Sequence, residues 1–108
     1  MFPVFIYVVL YFSRSDYSFL QTFSGNIPEE LGELEFLTNI YLHENKLAGT
    51  LPASFHKLTQ LGSLRLYQND LTGDISEEMC NLKTHFGLGY IAADCIDEVE
   101  CSCCDKCY

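Results

Sequence analysis

No cysteine precedes Cys80, tryptophan is absent, and only 6 of the 108 residues are Lys or Arg. The shortage of bases, set against 15 acids and a formal charge of −9, excludes a nucleic-acid binder, because neutralising phosphates takes clustered Lys and Arg. No N-x-[ST] triplet occurs, so glycosylation gives no clue to compartment. The sequence has no nucleophile elbow, no phosphate-cradling glycine loop and no H-E-x-x-H. Asp94, Asp97, Glu98 and Glu100 are close together, but their spacing is not that of a calcium loop. With no such constellation, no enzyme and no cofactor or metal is expected. What remains is a chain of single-domain length, whose 48% apolar content is too high for a disordered segment.

The most informative feature present is a repeat. "LTNIYLHENKLAGTLPASFHKLTQ" (37–60) and "LGSLRLYQNDLTGDISEEMCNLKT" (61–84) align without a gap at a period of 24. Leu37 matches Leu61, Ile40 matches Leu64, Leu42 matches Leu66, Asn45 matches Asn69, and Gly49 matches Gly73. Upstream, "FSGNIPEELGEL" (23–34) fits the second half of the template; downstream, Leu88, Tyr90 and Cys95 fall on apolar columns, with Ala93 where an Asn is expected. Leu-x-Leu alternation predicts a short strand with one buried face. The "NKLAG" and "NDLTG" segments turn the chain, and "LPASFHKL" returns with a helix-like spacing. One such coil cannot bury its own apolar edge, whereas stacked coils can, with their strands aligned in a parallel sheet. The buried Asn45 and Asn69 are expected to bond to backbone groups of neighbouring coils, since an unsatisfied buried amide is costly.

These columns resemble the leucine-rich repeat family, in the plant receptor-like subtype with the pattern LxxLxLxxNxL-[ST]-Gx-[IL]-Pxx-[LF]xxL. Ser76 departs from it where Pro28 and Pro52 stand in the preceding coils, and Ala48 departs at the hydroxyl position. The resemblance implies an α/β-type repeat solenoid, a short arc with a parallel sheet on the concave face and helical or irregular turns on the convex face. It also implies a protein or peptide ligand on the concave face. The organisation expected is a hydrophobic segment at 1–15, repeats over 16–94 and a cysteine-rich cap over 95–108.

The cysteines begin where the repeats end: Cys80, Cys95, Cys101, Cys103, Cys104 and Cys107. An open solenoid end needs a cap, and a small, acidic, core-poor segment is where disulfides help most. A zinc site, with His85 as a further ligand, lacks paired C-x2-C knuckles. The redox motif at Cys104 and Cys107 lacks its βαβ context. The end resembles the "DC…VxCxCCxxC" caps of some algal leucine-rich repeat proteins. Connectivity stays open; bonding between Cys103 and Cys104 is disfavoured by geometry, and the pairs expected are Cys80 with one of those two and Cys95 with Cys101.

Residues 1–12 of "MFPVFIYVVLYFSRSD" carry no charge. The run is too short to span a bilayer, which takes about 20 residues. It suits the core of a secretory signal cleaved after Ser15, although no Lys or Arg precedes it. The alternatives are a segment that packs on the first coil, and a fragment of a longer protein. Signal and disulfides together point to a secreted or cell-surface setting, with membrane association through a parent protein.

Between the buried leucines, Asn39, Tyr41, His43 and Glu44, then Ser63, Arg65, Tyr67 and Gln68, are expected on the concave face, followed by Gly87, Gly89 and Ile91. Tyr and Arg dominate binding hot spots, so Tyr41, His43, Arg65, Tyr67, Asn39 and Gln68 are the candidate binding residues. The acids Glu29, Glu30, Glu77 and Glu78 are assigned to a solvated convex side. Two other functions fit a repeat of this kind: a binder that inhibits a secreted hydrolase, and an ice- or glycan-binding solenoid. The second wants regular Thr columns, and Thr50 falls opposite Asp74.

Overall fold

The computed structural model describes residues 6–9 and 24–108. The leader-like reading of 1–15, its cleavage after Ser15 and the repeat position of Phe23 fall outside the described residues, except at Ile6–Val9. Among the described residues the strands form three parallel sheets. The largest runs β1 (Ile6–Val9), β3 (Leu37–Tyr41), β5 (Ser63–Arg65), β8 (Tyr90–Ala93) and β10 (Lys106–Cys107), one strand from each successive coil and the last from the cysteine-rich end. A second ladder joins β2 (Ser24–Asn26), β4 (Lys46–Gly49) and β6 (Asp70–Leu71); a third joins β7 (Gly73–Asp74) to β9 (Val99–Glu100). These parallel strands fit a repeat α/β arrangement.

The alternation read from the sequence is what buries the core. Leu37, Ile40, Leu42, Leu64, Leu66, Phe55 and Leu58 are at most 1% exposed, while Asn39, Tyr41, Ser63 and Arg65 between them stay on the sheet's outer face. The register pairs Ile40 with Leu64 and Tyr41 with Arg65, so like columns stack as the period of 24 requires. Gly25, Gly49 and Gly73 recur at φ +85°, +82° and +87°, the left-handed turn that lets each coil fold back. At Gly73 a Cβ would also lie 2.8 Å from Thr50 Cγ2.

Asn69 binds across coils. Its Nδ2 donates to Leu42 O at 2.8 Å and Leu66 O at 3.0 Å, and its Oδ1 accepts from the Leu47 N–H at 3.0 Å. Asn45 donates to Leu42 O and His43 O of its own coil, at 3.0 and 3.1 Å.

The period changes at the next coil. Leu64 pairs with Ile91 and Ser63 with Tyr90, a step of 27 rather than 24. The cause is the return segment. In the two earlier coils it is a 3-10 turn, Glu29–Glu33 and Ala53–Lys57, whereas here it is the α-helix α1 (Glu77–His85). Ser76, which stands where the other coils carry Pro, caps this helix: its side chain accepts from the Met79 N–H. Three residues are added, so every expectation for this coil moves. Ile91, expected on the outer face, is fully buried; Ala93, expected at the Asn column, fills the column of Leu66; and Tyr90, expected in the core, stands on the outer face. Gly87 and Gly89 precede the strand instead of lining it. The Asn ladder ends on Asp94, whose carboxylate accepts from the Gln68 N–H at 3.0 Å and the Asn69 N–H at 3.1 Å.

All six cysteines are paired: Cys80–Cys103, Cys95–Cys107 and Cys101–Cys104. Cys80 does bond one of the adjacent pair. Cys95 bonds Cys107 and not Cys101, because β10 adds to the sheet in parallel beside β8, with Cys107 opposite Ala93. The end therefore does more than cover a core. It donates β10 to the main sheet and β9 to the ladder continuing from β7. Asp105 fastens it by accepting from the Ile91 N–H at 2.9 Å and pairing with Lys83 of α1; the Lys83 hydrogen bond holds its carboxyl below the usual range. Among the described residues no helix is long and apolar enough to cross a membrane.

Candidate functional site

The outer face of the five-stranded sheet carries its side chains in columns, because residues facing one another across parallel strands share a side. One column runs Asn39, Ser63, Tyr90; the next runs Tyr41, Arg65, Ala92, Lys106. His43, Tyr67 and Tyr108 follow the strand ends as a ladder of rings. Tyr67 stacks on His43 at a centroid distance of 4.7 Å, and Tyr108 stacks on Tyr67 at 4.1 Å. Tyr41 meets the edge of this ladder, 6.1 Å from His43 in a T-shaped contact. The Arg65 guanidinium lies near the Tyr41 ring and that of Tyr90, its carbon 4.7 Å from the Tyr41 centroid and 5.6 Å from that of Tyr90. Lys106 lies over Tyr108 at 5.4 Å.

Five of the six candidate binding residues are thus brought together: Asn39, Tyr41, His43, Arg65 and Tyr67. Tyr41 is oriented by its hydroxyl, which donates to Asn39 Oδ1 at 3.2 Å. Two expectations need correction. Gln68 is not on the sheet: it sits in the following turn at φ +60°, and Glu44 occupies the same place one coil earlier at φ +61°. His43 does not present its ring to solvent. It is only 6% exposed, with the Tyr67 ring stacked on one face. The acids Glu29, Glu30, Glu77 and Glu78 are exposed in the first turns of the return segments, where a helix N-terminus favours negative charge.

Tyr90, Lys106 and Tyr108 were not among the candidates. The signal for Tyr90 was present in Ser76-Glu77-Glu78, an N-cap followed by two acids, which marks a true helix and hence a longer coil. Lys106 and Tyr108 had no comparable signal, since nothing in the repeat template says that the cap re-enters the sheet.

Burial lowers the His43 pKa, with Glu44 opposing and Arg65 adding to the effect; burial raises that of Tyr67, with Tyr108 next in effect. For His43 the sign follows from proton binding. The unfolded chain takes up a proton at the ordinary value near 6.5 while the folded imidazole takes one up only at lower pH, so stability is lost as pH falls below about 6.5. Urea midpoints measured from pH 7.5 to 5 should fall faster for the wild type than for His43→Gln. Identical pH slopes would mean that burial does not lower the pKa of this ring.

Comparison with protein families places a Leucine Rich Repeat match on residues 36–58. That stretch contains β3, β4 and the return segment Ala53–Lys57, which is one coil of the arrangement described above. The match supports a leucine-rich repeat family and, with it, a protein-binding module. No curated protein matches the chain.

Proposed function

We propose that this chain is a non-enzymatic recognition module that binds a protein or peptide on the outer, concave face of its main sheet. On this reading it belongs to a receptor-like or other cell-surface protein, or is secreted. Three disulfides in so short a chain support an oxidising compartment. The observation that carries the binding reading is the continuous aromatic and basic face, Tyr41–His43–Tyr67–Tyr108 with Arg65 near Tyr41 and Tyr90. Such side chains bury a large area while losing few torsions, and here neighbouring rings already fix them.

The test is an alanine scan of both sides against a partner isolated with the disulfide-intact protein. Truncating a true anchor among Tyr41, Arg65 and Tyr67 should cost about 2 kcal/mol or more in affinity. Alanine at Glu29, Glu30, Glu77 or Glu78 should change only salt-dependent steering. Circular dichroism confirms that each variant is folded. Weakened binding from the acid substitutions, with the sheet-face variants unaffected, would place the ligand on the other side.

A further inference from the structure

Bases are scarce in this chain, and two of them share a column on the sheet face. Lys57 pairs with Glu33 and Lys83 with Asp105. Among the described residues no carboxylate lies within ion-pair distance of Arg65 or Lys106. They face the same way, with Arg65 opposite Ala92 and Ala92 opposite Lys106. At the usual strand spacing their Cα atoms are about 10 Å apart, with the smallest of side chains between them. Arg65 is fixed before any ligand arrives. Tyr41 and Tyr90 lie near its guanidinium, and its Nε is buried without a hydrogen-bond partner. Asp94, an acid at the end of the same sheet, is already engaged by the Gln68 and Asn69 N–H groups.

We propose that the Arg65–Lys106 column is an anion subsite that takes a carboxylate of a peptide lying across the strands. The inference rests on the sheet-face reading and adds a ligand class to it. A guanidinium held near two rings keeps its edge for acceptors, and a carboxylate matches that planar fork with two parallel hydrogen bonds. Part of the cost of desolvating the cation has been met in the free protein, so pairing recovers more than at a fully hydrated lysine. The overall charge of −9 sets the selectivity. A run of acids is repelled by the rest of the surface, whereas one carboxylate flanked by neutral or basic residues is drawn to this column. A side-chain carboxylate and a peptide's terminal carboxylate share this chemistry.

Dodecapeptides selected from a random displayed library on the disulfide-intact protein provide the probe. Those whose binding is lost in Tyr67→Ala or Tyr108→Ala are taken as sheet-face ligands and synthesised with free and with amidated ends. They should share an Asp or Glu, or depend on the free end. Removing that charge, by Glu→Gln, Asp→Asn or amidation, should weaken binding about tenfold or more. Arg65→Gln should cause a similar loss, with little further loss when both changes are combined. Lys106→Gln, on the exposed cap strand, should give a smaller loss in the same direction, and it tests the column even if Arg65→Gln fails to fold. Sheet-face peptides that lack an essential acid and ignore Arg65→Gln and Lys106→Gln would overturn the anion subsite and leave the binding face standing. If no selected peptide depends on Tyr67 or Tyr108, both readings fall.

Discussion

Leu66→Asp is expected to leave the chain unfolded at room temperature. Leu66 is 1% exposed and sits in the layer between coils, its N–H donating to Ala92 O at 2.8 Å and its O accepting from the Asn69 side chain. Replacing it removes a fully buried leucine, about 2–5 kcal/mol when a core leucine is truncated. It also places a carboxylate where no cation or free donor waits, which adds several kcal/mol whether the group stays charged or takes up a proton. A chain of this size has a total stability of about 5–15 kcal/mol, so the sum reaches or exceeds the lower bound. Gln68→Ala, two residues on, should be nearly silent. Its side chain is exposed, and it is its backbone N–H that Asp94 holds. Far-UV circular dichroism and urea titration of the two variants make the comparison. A harmless Leu66→Asp would mean that the strand register is displaced by one residue, which exchanges buried and exposed faces.

The register was legible because Leu-x-x-Leu-x-Leu repeats at constant spacing over 37–84, and each leucine column is a burial statement. The glycines and Asn69 were legible for the same reason: each does one physical task once per coil. Legibility failed where the task stayed and the spacing changed. Ser76 in place of a proline looks like a lapse from the pattern, yet it caps α1 and thereby moves Tyr90, Ile91 and Ala93 by three positions. Asp94 does the work of a ladder residue with a carboxylate, so counting asparagines misses it. The Tyr67 ring of the next coil stacks on His43, a contact that period-2 alternation does not encode. The cap was the least legible part. Six cysteines announce disulfides, but the choice of Cys107 over Cys101 for Cys95 depends on β10 pairing with β8, and Lys106–Cys107 is too short and too polar to read as a strand.

That strand makes the disulfides a matter of binding as well as of stability. The Cys80–Cys103 bond closes a loop with a separation of 23 residues and Cys95–Cys107 one of 12. On the chain-entropy view each contributes about 3 kcal/mol, a large share of the stability of so small a domain. The two should nonetheless fail differently. Cys80–Cys103 joins the cap to α1, whereas Cys95–Cys107 fastens β10 to the last coil. In a Cys95→Ser/Cys107→Ser variant β10 is left with its hydrogen bonds to β8, among them the Tyr108 N–H to Ala93 O at 3.0 Å and the Asp105 N–H to Ile91 O at 2.8 Å. Amide exchange at Tyr108 should accelerate by about a hundredfold or more, since 1.4 kcal/mol is tenfold and the lost bond is worth about 3. The amides of β3 and β5 should change far less. Because Tyr108 and Lys106 leave the face together, sheet-face ligands should weaken in this variant even under conditions where it remains folded. Cys80→Ser/Cys103→Ser should lower the urea midpoint by a comparable amount while leaving Tyr108 protected and binding nearly intact. Mass analysis without reductant should show six hydrogens fewer than the reduced chain, and partial-reduction mapping should recover the three pairs described above. Recovery of a Cys95–Cys101 bond, or equal loss of Tyr108 protection in both variants, would remove β10 from the sheet and with it the cap's part in the binding face.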